Sequence, residues 1–166
     1  MLRRIAIAAS IATLLGLSAC ATTPPPGEAA VTYRLDMPPH HVATLQPAPP
    51  ERVRWGGMIV EVRNRENYSE IEVLAYPLDR KLRPKVKAPT EGRFIAVMPG
   101  YIEAYDWPQG RFLTVHGTVA GTREGLIDEK LFVYPVVEVE GSQIWPAGYQ
   151  HSGPHFSFGI GVGVGD

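Results

Sequence analysis

Five histidines, one cysteine, a run of cations and a small aromatic cluster are the groups in this sequence able to do chemistry, and their spacings narrow what that chemistry is. Nucleophilic catalysis needs a base and an orienting acid beside the nucleophile. His116, His151 and His155 have no Ser, Asp or Glu at a recognised spacing. Neither a His-Glu-x-x-His zinc signature nor a phosphate-binding glycine loop with its lysine is present. The neighbouring pair His40-His41 lies in a proline-rich tract, where two adjacent imidazoles make a poor chelate, and it reads as solvated. No enzyme, metal or cofactor is expected. Arg80, Lys81, Arg83, Lys85 and Lys87 put five cations within eight residues, a pattern that can meet phosphates or simply keep a loop solvated. Tyr101, Tyr105 and Trp107 either line a ligand surface or plug the end of a barrel.

The single cysteine closes the run Leu17-Ser18-Ala19-Cys20, and what precedes it has the layout of an export signal. Arg3 and Arg4 form a positive start, and Ile5 to Leu17 are 13 mostly apolar residues. That core is too short for a bilayer-spanning helix, which needs about 20 apolar residues. The run resembles the lipobox of bacterial lipoproteins. The resemblance implies that the signal is cut before Cys20, that its thiol is diacylated, and that two or more acyl chains hold the protein stably where one would not. Ala21 and Thr22 stand where the inner-membrane retention pattern has aspartate, which implies the outer membrane, periplasmic face. In that compartment the anionic partner of the cation run would be lipopolysaccharide or another envelope polymer, and nucleic acid is not expected. With one cysteine, no intrachain disulfide can form, so stability must come from packing.

The elements that would carry these groups follow from composition and alternation. Loss of residues 1–19 removes Arg3 and Arg4, so the formal net charge of −1 becomes −3, too mild to signal a polyanion partner. Seventeen glycines and 16 prolines favour a turn-rich β protein. Residues 20–50 read as a proline-rich spacer and residues 51–147 as the folded domain, able to fold alone. Met58, Val60 and Val62 share one parity in a first strand. Ile71, Val73 and Ala75 share one in a second, with Glu70 and Glu72 on its wet face. A third strand covers 92–98, one or two helical turns cover 101–108, a fourth strand runs from Arg111 to Ala120, and 121–129 form a polar turn. A fifth strand, 130–140, slips its apolar phase beside Pro135, as a bulge or edge would. Gln143 to Trp145 add a short sixth segment. This order predicts an all-β, five- to six-stranded OB-like barrel, whereas an immunoglobulin-like sandwich would need about seven strands.

Trp55-Gly56-Gly57, Ile71-Glu72-Val73 running to Tyr76-Pro77-Leu78, Gly92-Arg93-Phe94, Gly117-Thr118-Val119-Ala120-Gly121 and Tyr134-Pro135-Val136-Val137 before Trp145 resemble, in that order, the Slp family of starvation-inducible outer-membrane lipoproteins. Asp128 stands where that pattern leads one to expect glycine. The resemblance implies an envelope lipoprotein with a structural or interaction role, stress-related in the family, and carries over no catalytic residue, only Cys20. The alternative is a binding module for an envelope glycan or lipid head group. After Trp145, Phe156 to Gly165 alternate apolar residues with Ser or Gly. Such a tail is expected to order only against a partner or membrane.

Overall fold

In the computed structural model, residues 32–149 are described, so Cys20, the export signal and the Gly-rich tail lie outside the described residues. Five strands, β1 (Arg52–Asn64), β2 (Tyr68–Tyr76), β3 (Arg93–Pro99), β4 (Phe112–Ile127) and β5 (Lys130–Ile144), close into a barrel of order β1-β2-β3-β5-β4. All neighbours are antiparallel except β3 and β5, whose short parallel pairing (Ile95↔Val136 to Val97↔Glu138) seals the barrel. This is the OB-type Greek-key closure. Inside lie Ile71, Val73 and Ala75 from β2, Phe94 and Ala96 from β3, and Leu113, Val115 and Val119 from β4.

The inward parity of β1 is the opposite of the expected one over its first half. Val53, Trp55, Gly57 and Ile59 point in, and the register to β2 shifts between Ile59 and Glu61, so Val60 is a bulge that returns Val62 to the core side. Close approach is taken up by glycine. A Cβ on Gly57 would sit 2.0 Å from the Leu74 carbonyl oxygen, and one on Gly117 would sit 2.0 Å from that of Glu138. The phase slip expected beside Pro135 is met by a bulge on the facing strand, between Val119 and Gly121 of β4.

Two segments expected to be irregular are structured. Residues 121–127 continue β4 and, with β5, form a two-stranded arm that turns at Asp128 and Glu129, both at positive φ (47° and 67°). Gln143 and Ile144 belong to β5 instead of a sixth strand. Part of the expected spacer packs onto the barrel. Arg34 bridges Val53 in parallel, a one-turn helix α1 (Pro39–Val42) buries Pro39 and Val42, and the Trp55 indole N–H donates to the Met37 carbonyl at 2.7 Å. Proline here starts the helix at its first turn, where its missing N–H costs nothing, instead of extending the chain. The expected helical turns at 101–108 reduce to one turn in which the N–H groups of Asp106 and Trp107 donate to the Glu103 carbonyl.

Candidate functional site

The cation run occupies the β2–β3 connection, and the fold sorts its members. Asp79 accepts the backbone N–H groups of Lys81 and Arg83 and pairs with the Arg83 guanidinium at 2.8 Å, closing a tight loop in which Leu82 sits at φ 62°. Arg83, Lys85 and Lys87 line one cleft of about 480 Å³ together with Tyr149, whose hydroxyl donates to the Pro84 carbonyl at 2.7 Å. Burial pushes that phenol up to about 12, so it stays a neutral donor at any physiological pH. Arg80 is exposed and Lys81 turns the other way.

Lys81 enters a second cleft of about 380 Å³ on the outer face of β1, β4 and β5. Its floor follows from strand register. Arg54, His116 and Gly141 form one cross-strand row, and Gly56, Thr114 and Gln143 form the next on the same face. Thr114 is the keystone: its hydroxyl donates to the Leu82 carbonyl at 2.7 Å, docking the cation loop, and accepts the Trp145 indole N–H at 3.0 Å, fixing the far wall. Gly141 leaves room for the imidazole, since a Cβ there would lie 2.5 Å from His116 Cε1. Tyr33 packs edge-on against His116, with ring centroids 4.8 Å apart, while the Arg54 guanidinium lies 4.8 Å above the Tyr33 ring. Burial and the Arg54 charge push the His116 imidazole below its ordinary value, against the pull of Glu140. His116 and Arg54 were not legible as a site because only register brings them together.

On the opposite side, the outer face of β1, β2 and β3 carries a second charged assembly. Glu70 and Glu72, expected to face water, are 1% and 6% exposed. The arm covers them. Arg123 and Arg65 pair with Glu70 at 2.7 and 3.0 Å, Arg93 and Arg63 pair with Glu72 at 2.7 and 3.2 Å, and the Tyr134 hydroxyl donates to Glu72. Burial pushes the Glu70 carboxyl up, but the hydrogen bonds from Arg123 and Arg65 outweigh it and hold the group below its ordinary value. The mirrored spacing Arg63-x-Arg65 and Glu70-x-Glu72 across one turn was the available sequence signal. Four guanidinium groups balanced by Glu61, Glu70, Glu72 and Glu124 leave this face neutral.

The aromatic cluster divides. Trp107 packs on the core, while Tyr101 and Tyr105 are 69% and 93% exposed, and none of the three lines either cleft. His40 contacts the Glu91 carbonyl through its backbone N–H and Nδ1. Among the described residues no group of three or more His, Cys, Asp or Glu is placed to hold a metal, and no helix is long and apolar enough to cross a membrane.

With this geometry in hand, comparison with known proteins supplies the family: residues 17–159 match the model of the Outer membrane lipoprotein Slp family. The chain belongs to the Slp family. An uncharacterized protein of Haemophilus influenzae is 37% identical over 56% of this chain and 51% of its own length. Two Escherichia coli relatives are similar: the uncharacterized lipoprotein YeaY (29% identical over 79% of this chain and 67% of its own length) and the outer membrane protein Slp (27%, 57% and 50%). The chain thus spans about half the length of two of these relatives. This Slp-family chain is an outer-membrane protein of the lipoprotein class.

Proposed function

We propose that this chain is acylated at Cys20 and holds its barrel at the periplasmic face of the outer membrane as a non-catalytic interaction module. The observation that carries the reading is the Leu17-Ser18-Ala19-Cys20 run, which falls at the start of the family match. Replacing Cys20 with Ser is expected to abolish palmitate incorporation and move the protein from the membrane to the soluble fraction. Radiolabelled palmitate entering the Cys20→Ser chain would refute it. The interaction role is tested by crosslinking in intact envelopes: a specific, reproducible partner supports it, and the absence of any crosslinked species counts against it. A stress-related role, as the family resemblance implies, predicts that loss of the chain shows a phenotype in stationary phase and not in growth.

A second reading, a binding module for an envelope glycan or lipid head group, is favoured by one feature. The cation loop is not splayed into solvent but is docked by Thr114 so that its members line two clefts.

A further inference from the structure

The cleft above the Arg54–His116–Gly141 row presents donors and cations, and among the described residues that line it there is no carboxylate. Arg54 is held by the face of Tyr33 and not by an acid, so its orientation is set while its full charge and its guanidinium donors stay available. Lys81 is delivered by the docked loop and has no carboxylate partner among the described residues, since Asp79 is occupied by Arg83. The nearest acid, Glu140, accepts from Arg52, the Tyr33 hydroxyl and the Thr118 hydroxyl, which neutralise it locally. Ser142 and Gln143 add neutral donors at the rim.

We propose that this cleft is a binding site for a phosphate monoester, held by Arg54, Lys81 and His116, with Trp145 walling the group that carries the phosphate. A phosphomonoester brings three non-bridging oxygens and close to two charges, so it gains more than a singly charged carboxylate from a cleft that offers an arginine fork, a lysine and an imidazole with no acid beside them. The arginine fork and the lysine point charge play their usual complementary parts at such a group. The proposal rests on the reading of the barrel as a binding module and names its site and its ligand chemistry.

His116 makes the site pH-sensitive. It faces Arg54 and Arg52 from β1, Glu140 from β5, Tyr33 from the preceding segment and Lys81 from the loop. A bound anion favours the imidazolium, so binding takes up a proton and affinity rises as pH falls through the neutral-to-mildly-acid range.

The test uses the full-length chain in neutral detergent micelles, titrated with inorganic sulfate, whose charge is constant over this pH range, and with glucose 1-phosphate. The readouts are the His116 imidazole and Trp145 indole N–H resonances. Saturable shifts at both are expected, with tighter sulfate binding at pH 5.5 than at pH 7.5. An Arg54→Gln/Lys81→Gln chain should bind at least about tenfold more weakly while keeping its thermal unfolding midpoint, since a charge-assisted contact is worth about a factor of ten or more. Lys85→Gln/Lys87→Gln should change the affinity less than about twofold, because those side chains line the other cleft. Phosphatidylcholine vesicles with and without phosphatidic acid separate the sources. Recruitment by phosphatidic acid, lost in the Arg54/Lys81 variant, assigns a lipid-borne phosphate. Binding of glucose 1-phosphate without recruitment assigns a soluble one. Shifts that follow Lys85 and Lys87 would overturn this site and leave the binding-module reading standing; no saturable binding of any probe would overturn both.

Discussion

Replacing Val42 with Ala distinguishes a spacer from a part of the core. Val42 is fully buried on α1, in a segment whose composition reads as spacer, and belongs to the same core cluster as Trp55, whose indole N–H is tied to Met37 of that segment. The substitution deletes two methyl groups' worth of buried surface, about 1.6 kcal/mol at 0.8 kcal/mol per methylene. The residual cavity adds to that because the neighbouring barrel collapses only in part. Alanine's better helix propensity returns a few tenths of a kcal/mol. The net expectation is a destabilisation of about 2 kcal/mol. At a urea m-value of roughly 2 kcal/mol/M this moves the midpoint by about 1 M with the slope unchanged. Substitutions in a solvated linker stay within about 0.5 kcal/mol. Urea unfolding followed by tryptophan fluorescence decides between the two, and a midpoint shift under about 0.2 M would refute the packing argument. The same logic predicts that a chain starting at Glu51 is markedly less stable than one starting at Thr32.

Adding a methyl at Gly57 or Gly117 should prevent folding, since the new Cβ meets a backbone oxygen at 2.0 Å and the ladder must break; a loss above about 4 kcal/mol is expected, read as absence of a cooperative transition. Glu129→Gly should stabilise the arm by about 0.5–1 kcal/mol in thermal unfolding, because the turn holds two non-glycine residues at positive φ and relief of that strain exceeds glycine's entropy cost. Replacing Arg65 and Arg123 together with Ala leaves the Glu70 carboxylate buried without its partners; with both guanidinium groups partly exposed, about 2–3 kcal/mol is expected at pH 7. Glu70 has a depressed folded value, so its contribution is present above the ordinary carboxylate range and fades as pH falls through the folded one. The double variant should therefore match the parent in acid, and an equal deficit at all pH values would refute the ionic explanation.

How far the fold was readable follows from where contacts are local. Ile71, Val73 and Ala75 alternate within one uninterrupted strand, and their parity holds in the structure. In β1, Val60 bulges, so counting by twos from Met58 selects the wrong face until Val62. The mark of the bulge is the change of inward parity from Val53, Trp55 and Ile59 to Val62, and the glycines at 56 and 57 and the adjacent apolar pair Ile59-Val60 blur it in the sequence. The arm escaped notice because a wet two-stranded ribbon such as Gly121-Thr122-Arg123-Glu124-Gly125 carries no apolar alternation. Its turn uses Asp128 and Glu129 where the usual signal is Asp-Gly. Glu70 and Glu72 look solvated in the sequence and become buried only because Arg123 and Tyr134, more than fifty residues later, are laid over them. In the clefts, the cations were visible by type, but Lys81 was separable from Lys85 and Lys87 only once Thr114 had docked the loop.

The attachment of Arg34 to β1 shortens the leash. If the lipid is on Cys20, as proposed, eleven residues lie between it and Thr32, whereas thirty lie between it and Glu51. At about 3.5 Å per residue the shorter stretch reaches roughly 40 Å when fully extended and the longer roughly 110 Å. Covalent reach alone thus sets a limit on the distance between lipid and barrel that is nearly three times tighter for the shorter stretch, so a group on the same leaflet is presented to the barrel at a higher effective concentration. Tyr33, where the chain joins the barrel, also touches His116 and Arg54. The cleft thus sits at the leash's point of attachment, where a weak site for a surface-borne anion can fill without high intrinsic affinity.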